Sequence, residues 1–541
     1  MTLKPLGVEP EKCMIGGRWI SPASNECLSL INPSDGSVLC DIAKGGKEDI
    51  DQAVLAAENA LRSIWGKSTA AERGRILARL GHLVLEHTEE LATLEAKDVG
   101  KPYKQARADV LALARYMEFY AGAADKLHGQ TIPYLAGYTV YTLREPHGVT
   151  GHIIPWNYPM QIIGRSVGAA LATGNACVLK PAEEACLTAL AFAELANKAG
   201  LPDGALNVVP GLGSEAGAAL TRHKGVHHIS FTGSVEVGKL IQKTAADNVV
   251  PVTLELGGKS PQVVFEDADL EASLPFLVNA GIQNAGQTCS ASSRILVHQS
   301  LYEEVVTKMA KRYDALQAGP AMDDWDVGPL VSHRQKQLVE GFLANGTDLK
   351  LVGRGKILED APSGGAYVAP SLFAGVHPDH ILAQDEIFGP VQVIIPFQDE
   401  DEAVAIANGT NFGLVASCWT TDGARQMRMA KKLRAGQVFL NNYGAGGGVE
   451  LPFGGVGLSG HAPSAGVHSS ATARTGVGIL SGMARRGNGH RTHPQDSLAD
   501  RRRHPPAAVD CHGAARRLSL RWVTLCRTGS VLPMGEIGAE A

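Results

Sequence analysis

Residues 227–235 read His-His-Ile-Ser-Phe-Thr-Gly-Ser-Val, a short β-rich run that leads through a turn into a helical pattern. The same succession recurs from Gly148 to Gly257. Strands are predicted at residues 151–154, 176–179, 206–209, 227–231 and 252–256, and helices begin near Met160, Ala185, Ser214 and Val235. Strands that alternate with helices at this period predict an α/β fold with a parallel, doubly wound sheet.

Polar side chains stand where these predicted strands end. Asn157 follows the first strand and Lys180 the second, while Thr232-Gly233-Ser234 follows the fourth and Glu255 lies in the last. Ligands of a doubly wound sheet bind at the carboxyl ends of its strands. We therefore expect these residues to line one binding crevice.

A second α/β series begins near Pro261 and contains Cys289. Its strands are predicted at 262–265, 295–297 and 391–396, and its helices at 301–318, 332–345, 400–407 and 423–433. Before the first series, residues 14–41 are typical of short strands, residues 49–62, 70–87 and 104–127 of covering helices, and residues 138–144 of a half-exposed strand pair. A functional site is expected in the cleft between the two series.

The nucleophile candidate is Cys289, which lies among small and polar residues between Gly281 and Leu296. A structural cysteine usually lies in an apolar run, whereas a reactive thiol needs access and a lowered pKa. The setting of Cys289 favours the second interpretation only when it is combined with further motifs, because a lone cysteine is more often structural.

Composition excludes several classes of protein. The chain has 541 residues, 44% of them hydrophobic and 19% charged, which is typical of a globular protein with two or three domains. The sequence contains no apolar run of membrane length and no signal-like N-terminus, so a cytoplasmic location is expected. Nine irregularly spaced cysteines indicate neither disulfides nor zinc. His223, His227 and His228 are spaced like metal ligands but lie at the start of a predicted buried strand, so no metal is expected.

Four stretches occur together in the sequence. They are Pro155-Trp156-Asn157-Tyr158-Pro159, Leu254-Glu255-Leu256-Gly257-Gly258-Lys259, Gly286-Gln287-Thr288-Cys289 and Glu386-Ile387-Phe388-Gly389-Pro390, and 34 residues separate Glu255 from Cys289. With these stretches the chain resembles the aldehyde dehydrogenase superfamily over about residues 10–460. The resemblance implies a Rossmann-type cofactor domain, an α/β catalytic domain and a small β arm used to form a homo-oligomer, a dimer or a tetramer.

By this resemblance the chain oxidises a small-molecule aldehyde to the carboxylate with NAD(P)+. Cys289 would form a thiohemiacetal and then a thioester. The Cys289 N–H and the Asn157 amide would hold the oxyanion, and Glu255 would act as general base for water. Relatives that acylate coenzyme A generally lack this glutamate, so water is the expected acceptor.

The resemblance also assigns the cofactor contacts. Lys180 and Glu183 would face the adenosine ribose, Ser234 the pyrophosphate, and Glu386 with Phe388 the nicotinamide ribose. A carboxylate at Glu183 would repel a 2′-phosphate, which favours NAD, although Lys180 keeps NADP open. The remaining expected contacts are Ile153, Pro155, Trp156, Gly213, Phe231, Thr232, Gly233 and Leu256. The glycine pattern around Gly213 lacks the Rossmann spacing and by itself favours helix packing.

Substrate choice is expected to depend on Tyr158, Arg165 and Phe453, which match positions that line the family's tunnel. An arginine at the place of Arg165 occurs in relatives such as succinate-semialdehyde dehydrogenase, where it helps hold a substrate carboxylate. The second arginine of those relatives is Gln283 here. Two readings of Arg165 therefore stay open, a semialdehyde anchor and a structural salt bridge.

The amino-acid composition and the charge of the chain change near residue 460. Residues 461–541 contain 11 Arg, no Lys and 5 acidic residues, a net charge of +6, so residues 1–460 carry −11. The family's lysine after Pro452–Gly455 is Gly457 here. This tail is expected to be disordered, and three explanations compete: a basic arm for nucleic acid, a divergent tail and an out-of-frame translation, which is favoured. Nucleic-acid binding is the least favoured, because residues 1–460 are acidic.

These boundaries predict four regions. Residues 1–127 and 147–256 would form the NAD(P)-binding domain, 128–146 the oligomerisation arm, 257–460 the catalytic domain and 461–541 the atypical tail. A defective C-terminus would leave a further alternative, a family member that binds dinucleotide without turnover.

Overall fold

The computed structural model describes residues 6–129, 131–132, 140–444, 448–461 and 477–480. Most of the predicted tail, and residues 130 and 133–139 of the predicted arm, lie outside the described residues. The described strands, in chain order, are β1 Cys13–Ile15, β2 Arg18–Ile20, β3 Cys27–Ile31, β4 Val38–Ala43, β5 Thr131–Ile132, β6 Val140–Tyr141, β7 Val149–Ile153, β8 Ala176–Lys180, β9 Leu206–Val208, β10 His228–Thr232, β11 Val252–Glu255, β12 Pro261–Val264, β13 Arg294–His298, β14 Gln317–Ala318, β15 Lys350–Arg354, β16 Lys356–Ile357, β17 Ser371–Ala374, β18 Val391–Phe397, β19 Val415–Trp419, β20 Gln437–Leu440, β21 Gly460–His461 and β22 Val477–Leu480.

Helices cover the sheets and connect their strands. The described α-helices are α1 Lys47–Arg62, α2 Ile64–Lys67, α3 Ala70–Glu86, α4 Thr88–Val99, α5 Tyr103–Ala123, α6 Pro159–Ile162, α7 Gly168–Ala172, α8 Leu187–Lys198, α9 Ala218–Arg222, α10 Val235–Ala246, α11 Leu270–Ile282, α12 Tyr302–Ala315, α13 His333–Ala344, α14 Ile381–Gln384, α15 Glu400–Asn408 and α16 Gly423–Lys432. Two π-helical turns, Ile163–Val167 and Gly213–Gly217, precede α7 and α9.

The first sheet has the order β2-β1-β9-β8-β7-β10-β11-β21. Its five central strands, from β9 to β11, are parallel, and β1 and β21 flank them in the antiparallel sense. The chain builds outward from β7 in one direction and then resumes at β10 in the other. The predicted doubly wound sheet is confirmed, and its topological switch point lies between β7 and β10.

The second sheet has the order β15-β17-β18-β13-β12-β19-β20-β22, and all its neighbours except β15 and β17 are parallel. Two hydrophobic cores accompany the two sheets. One draws on residues from Leu6 to Leu256 together with Ala321 and Val449, and the other on residues from Val263 to Leu440. The change of core coincides with the Gly257-Gly258 connection between β11 and β12.

Several elements differ from the sequence prediction. The helix expected from residue 104 to 127 is α5, which ends at Ala123, and the helix expected near Ser214 begins with a π-turn. Helix α11 was not predicted, since it contains Pro275, which removes a backbone donor inside the helix. Residues 477–480 form β22 beside β20, which differs from the disorder expected there, because an apolar Val-Gly-Ile-Leu run can extend a free sheet edge.

The predicted arm is represented by β5 and β6, which pair in the antiparallel sense. Within the described ranges, no helix is long and apolar enough to cross a membrane. In the same part of the chain, His, Cys, Asp and Glu side chains form no group of three that could hold a metal ion.

Candidate active site

One edge of the first sheet carries the predicted strand-end residues. The ladders pair Ile153 with Lys180 and with Phe231, and Thr232 with Glu255. Beyond the strands, Gly233 N–H donates to the Glu255 carbonyl oxygen at 3.0 Å. The register therefore brings the ends of β7, β8, β10 and β11 to one edge, as the strand-end argument predicts.

A salt bridge lies at the end of β8. Lys180, whose side chain is buried, donates from Nζ to Glu183 Oε2 at 2.7 Å. Gly213 N–H donates to the other carboxylate oxygen, Oε1, at 3.4 Å. Burial raises the pKa of Glu183, but the charge and hydrogen bond of Lys180 outweigh burial and hold it below its usual value. Glu183 is therefore an ionised acceptor at neutral pH.

Helix α10 begins at this same edge. Ser234 is its N-cap, and its Oγ accepts from Val237 N–H at 3.3 Å. The helix N-terminus has a positive partial charge that suits an anion such as a phosphate. Of the other expected contacts, Phe231 and Leu256 are buried in the first core, so their side chains face away from solvent.

Cys289 follows an irregular loop at the end of α11. Asn284, Ala285 and Gly286 have φ values of 50°, 55° and 72°. An alanine with positive φ is strained, so the surroundings must hold this conformation. At Gly286 an added Cβ would lie 2.0 Å from the Gly389 carbonyl oxygen, so glycine is required there both by conformation and by space.

Side-chain amides hold this loop. Asn284 Nδ2 donates to the Asn157 carbonyl oxygen and Asn157 Nδ2 to the Gln287 carbonyl oxygen, both at 3.0 Å. Gln287 Nε2 donates back to the Asn284 carbonyl oxygen at 3.0 Å, and its Oε1 accepts from Val331 N–H at 2.9 Å. The Asn157 amide nitrogen carries two hydrogens, so one remains for a ligand. The network ties the segment after β7 to the Cys289 loop.

The Gly257-Gly258 connection is closely approached from both sides. A Cβ at Gly257 would lie 2.2 Å from Glu386 Oε2, and one at Gly258 would lie 2.1 Å from the Cys289 carbonyl oxygen. Gly258 N–H donates to Glu386 Oε1 at 2.8 Å. The absence of both side chains thus allows Glu386 and the Cys289 backbone to pack against one connection.

The thiol of Cys289 is only partly exposed. Burial raises the pKa of Cys289 to about 12; Arg165 opposes this rise, while the charges of Glu386 and Glu255 add to it. The cysteine is therefore protonated at neutral pH in the protein without ligands. Addition of a positive charge or removal of a proton would be needed to activate it.

Glu386 and Phe388 lie on the segment between α14 and β18. Burial raises the pKa of Glu386 to about 7, against the hydrogen bond from Gly258 and the charge of Lys259. Phe388 has a φ of 54°, and its ring makes an edge contact with Trp156 at 5.4 Å between centroids. This contact brings two of the predicted cofactor residues together.

Two of the three predicted substrate residues contact each other, and the third contacts the residue before Cys289. The Arg165 guanidinium lies over the Phe453 ring at 4.4 Å, and Tyr158 OH and Thr288 Oγ1 are 3.0 Å apart. Among the residues that the structure describes, no carboxylate forms an ion pair with Arg165, although its residue surface is only 7% exposed. The salt-bridge interpretation of Arg165 is thus not supported by the described residues.

Sequence reasoning missed Asn284 and Tyr443. Asn284 opens the Asn-Ala-Gly run, which is a turn signal that could have indicated positive φ values. Tyr443 OH donates to the Ser290 carbonyl oxygen, and the ring belongs to an apolar cluster beside Cys289 with Leu414, Val415, Phe439 and Phe453. No local signal in the sequence indicates that pairing.

The doubly wound sheet has a helix N-terminus at its switch point and a salt bridge at the neighbouring end of β8, and a loop beside them carries a cysteine. This arrangement is typical of dinucleotide-dependent oxidoreductases that use a covalent nucleophile. The family model described as "Aldehyde dehydrogenase family" matches residues 19–475, which extends beyond residue 460. The chain belongs to the aldehyde dehydrogenase family and is an oxidoreductase of that class.

Individual relatives agree with this assignment. Aldehyde dehydrogenase family 2 member B4, mitochondrial, from Arabidopsis thaliana is 42% identical over 468 residues, which cover 85% of this chain and 86% of the relative. A crystal structure from Burkholderia cenocepacia, described as an aldehyde dehydrogenase, is 61% identical with a TM-score of 0.84 and covers 85% of this chain and 97% of its own. The NAD+ complex of a Bacillus cereus aldehyde dehydrogenase is 40% identical with a TM-score of 0.83, covering 85% and 94%.

Proposed function

We propose that the chain oxidises an aldehyde to the carboxylate with NAD+ as hydride acceptor, through a thioester on Cys289. The observation that carries the proposal is the amide network that holds the Cys289 loop against Asn157, with Glu255 and Glu386 close enough to affect the pKa of the thiol.

The residues divide the reaction among them. The Cys289 thiol loses its proton to solvent, and the thiolate Sγ then adds to the carbonyl carbon and forms a thiohemiacetal oxyanion. The Cys289 N–H and the free hydrogen of the Asn157 amide stabilise the oxyanion, because they donate where negative charge develops. Once hydride has left, Glu255 accepts a proton from the water that hydrolyses the thioester, which releases the carboxylate and the thiol.

The cofactor site fits NAD in the chemistry of its donors. NAD supplies the hydride acceptor when bound. Lys180 and Glu183 offer an ammonium and an ionised carboxylate to ribose hydroxyls, the N-terminus of α10 suits the pyrophosphate, and Glu386 suits the second ribose. The carboxylate of Glu183 disfavours a 2′-phosphate, so NAD is preferred over NADP.

A narrower proposal concerns the substrate. Arg165 is buried without an ion pair among the described residues, and its charge acts on Cys289. A buried cation without a carboxylate is costly unless a ligand supplies one. We therefore propose a preference for an aldehyde that carries a carboxylate, such as a semialdehyde, held by Arg165 over the Phe453 ring.

A homo-oligomer, a dimer or a tetramer, is proposed because Tyr141 at the end of β6 and Leu143 just after it have largely exposed apolar side chains. Light scattering of the purified chain would measure its mass in solution. The cytoplasmic location stays a prediction from the sequence.

The deciding experiment measures NADH formation by the purified 541-residue chain. The panel pairs a semialdehyde with an uncharged aldehyde of equal length, and each is tested with NAD and with NADP. We expect turnover with NAD, one carboxylate formed per NADH, and a higher kcat/KM for the semialdehyde. Arg165→Met should remove that preference and should slow turnover of the uncharged aldehyde only as far as it slows alkylation of Cys289, because Arg165 also lowers the pKa of the thiol.

Two results would contradict the proposal. Binding of NAD without turnover of any aldehyde would favour the non-catalytic alternative. Equal kcat/KM for both aldehydes would contradict the carboxylate-anchor role of Arg165 but not the oxidation itself.

A further inference from the structure

A buried charged triad, Glu95, Lys101 and Asp109, lies beside the site and has no role in the steps above. Lys101 Nζ donates to Glu95 Oε1 at 3.0 Å and to Asp109 Oδ2 at 2.5 Å. The side chains of Lys101 and Glu95 have no exposed surface. Three charges withdrawn from water carry a desolvation penalty that apolar residues of similar shape would avoid, so the triad is costly for stability alone.

The triad reaches the nucleophile loop through Tyr158. Lys101 Nζ lies 4.0 Å from the centroid of the Tyr158 ring, within the range of a cation–π interaction. The Tyr158 hydroxyl then contacts Thr288 Oγ1 at 3.0 Å, and Thr288 is the residue before Cys289. On the other side of the triad, Gln161 Nε2 donates to Asp109 Oδ1 at 2.5 Å, which fixes the helix that follows Tyr158.

The same stretch of chain holds the other end of the loop. Gln105, in the first turn of α5, accepts through Oε1 from Asn284 N–H at 2.8 Å. Asn284 is the first of the three residues with positive φ. Residues 101–105 therefore support the Cys289 loop at two points. Gln105 binds the first strained residue, and Lys101 acts through Tyr158 on the residue immediately before Cys289.

We propose that Lys101 is a positioning residue of the dehydrogenase reaction, which holds the Tyr158 ring so that the Tyr158–Thr288 contact keeps Cys289 directed at the carbonyl carbon. The catalytic part of this inference rests on the proposed function. Lys101 contacts neither the expected substrate position nor Cys289 itself, so its effect passes through Tyr158.

Two variants remove the cation in different ways. Lys101→Met keeps the side-chain length but leaves the buried carboxylates of Glu95 and Asp109 without a cation, which is expected to destabilise the fold. The neutral triad, Glu95→Gln with Lys101→Met and Asp109→Asn, keeps the shapes without buried charge. In the neutral triad we expect alkylation of Cys289 by iodoacetamide and kcat both to fall about tenfold, with the Kd for NAD unchanged.

Arg107→Met is the matched control. Arg107 is a cation on α5 as well, but it is half-exposed and pairs with Glu89 at 2.9 Å, away from Tyr158. In Arg107→Met, iodoacetamide should alkylate Cys289 at the wild-type rate. If the neutral-triad variant is folded and its Cys289 is also alkylated at the wild-type rate, the positioning role is overturned.

A double-mutant cycle tests the route through Tyr158. Tyr158→Phe keeps the ring and removes the hydroxyl that contacts Thr288. If Lys101 acts through this contact, adding the neutral triad to Tyr158→Phe should slow alkylation little further, whereas additive losses would contradict the route. Alkylation needs no aldehyde turnover, so an inactive wild-type chain would contradict the proposed function and still leave this inference measurable.

Discussion

On the first sheet, Lys180 and Glu255 are the last residues of β8 and β11. Strand β8 pairs in parallel with β7 and β9, and β11 pairs in parallel with β10 and antiparallel with β21. On the second side of the site, Cys289 follows three residues with positive φ and belongs to no strand or helix. Its loop is held by side-chain amides of Asn157, Asn284 and Gln287.

This difference predicts how the strand ends of the first sheet and the Cys289 loop respond to side-chain substitutions. A ladder contains many backbone hydrogen bonds, so a single side-chain substitution removes few of the contacts that fix a strand end. The Cys289 loop depends on a few side-chain contacts and on two glycines, and a displacement of about 1 Å in a reacting atom can cost on the order of 100-fold in rate. Substitutions around Cys289 should therefore affect catalysis more than substitutions along the strands.

The largest effect is expected from the nucleophile. Cys289→Ser should lower kcat by about 10³-fold or more, because a serine hydroxyl is a much weaker nucleophile without an adjacent base. The Kd for NAD, measured by fluorescence titration, should not change, since the strand-end contacts remain. Cys27→Ser, at an exposed cysteine of β3, is the control and should keep full activity. If Cys289→Ser retains turnover, another residue must be the nucleophile.

The glycine connection comes next. Gly258→Ala places a Cβ 2.1 Å from the Cys289 carbonyl oxygen, so the backbone of the loop must shift. We expect kcat to fall about 100-fold while the chain stays folded. Gly341→Ala in α13 is the matched control, because a Cβ there meets nothing within 4 Å. Equal activity of the two variants would show that the loop tolerates displacement.

The same contrast explains what the sequence could predict. The five parallel strands of the first sheet were predicted within one or two residues, because apolar β-rich runs alternate with helical patterns and tertiary packing agrees with them. The strand-end positions of Lys180 and Glu255 followed from that alternation. The four motifs then supplied the family, and with it the expected partners of Cys289.

The strands and contacts that the sequence did not predict depend on contacts between residues far apart in the chain. Strands β19 and β20 were not predicted, since they are short and become recognisable only by their pairing with β12 and with each other. Likewise, the tie between Gln105 and Asn284 joins residues 179 apart in the chain. A local pattern cannot show which amide of a distant helix will satisfy a strained loop.

A smaller effect tests the electrostatics that the two halves share. Burial raises the pKa of Cys289 to about 12, so alkylation of the chain without cofactor should rise about tenfold per pH unit over roughly pH 7–10, with no plateau. Arg165 opposes the rise, so Arg165→Met should raise the pKa further, reduce the thiolate fraction and slow alkylation roughly three- to tenfold at any pH in that range. The exposed Arg62→Met should leave the rate unchanged. A plateau below pH 9 would contradict the buried, protonated thiol.

The smallest effect on activity, but one specific to the first sheet, concerns acid stability. His152 in β7 is buried with Nε2 2.9 Å from Thr150 Oγ1, and burial, with the charge of His228, lowers its pKa to about 3. In the unfolded chain the pKa of His152 returns to about 6.5. Below that pH the imidazole is protonated in the unfolded state but stays neutral in the folded state. Stability is thus full above about pH 6.5 and falls towards pH 4, by on the order of 3 kcal/mol for this group. His152→Gln should reduce the loss of urea midpoint over that interval, whereas His82→Gln, at an exposed histidine, should not. If the urea midpoint of His152→Gln falls with pH as steeply as that of the wild type, another group causes the acid destabilisation. If it falls less steeply, the first sheet, which tolerates substitution better than the Cys289 loop, is the region that acid destabilises.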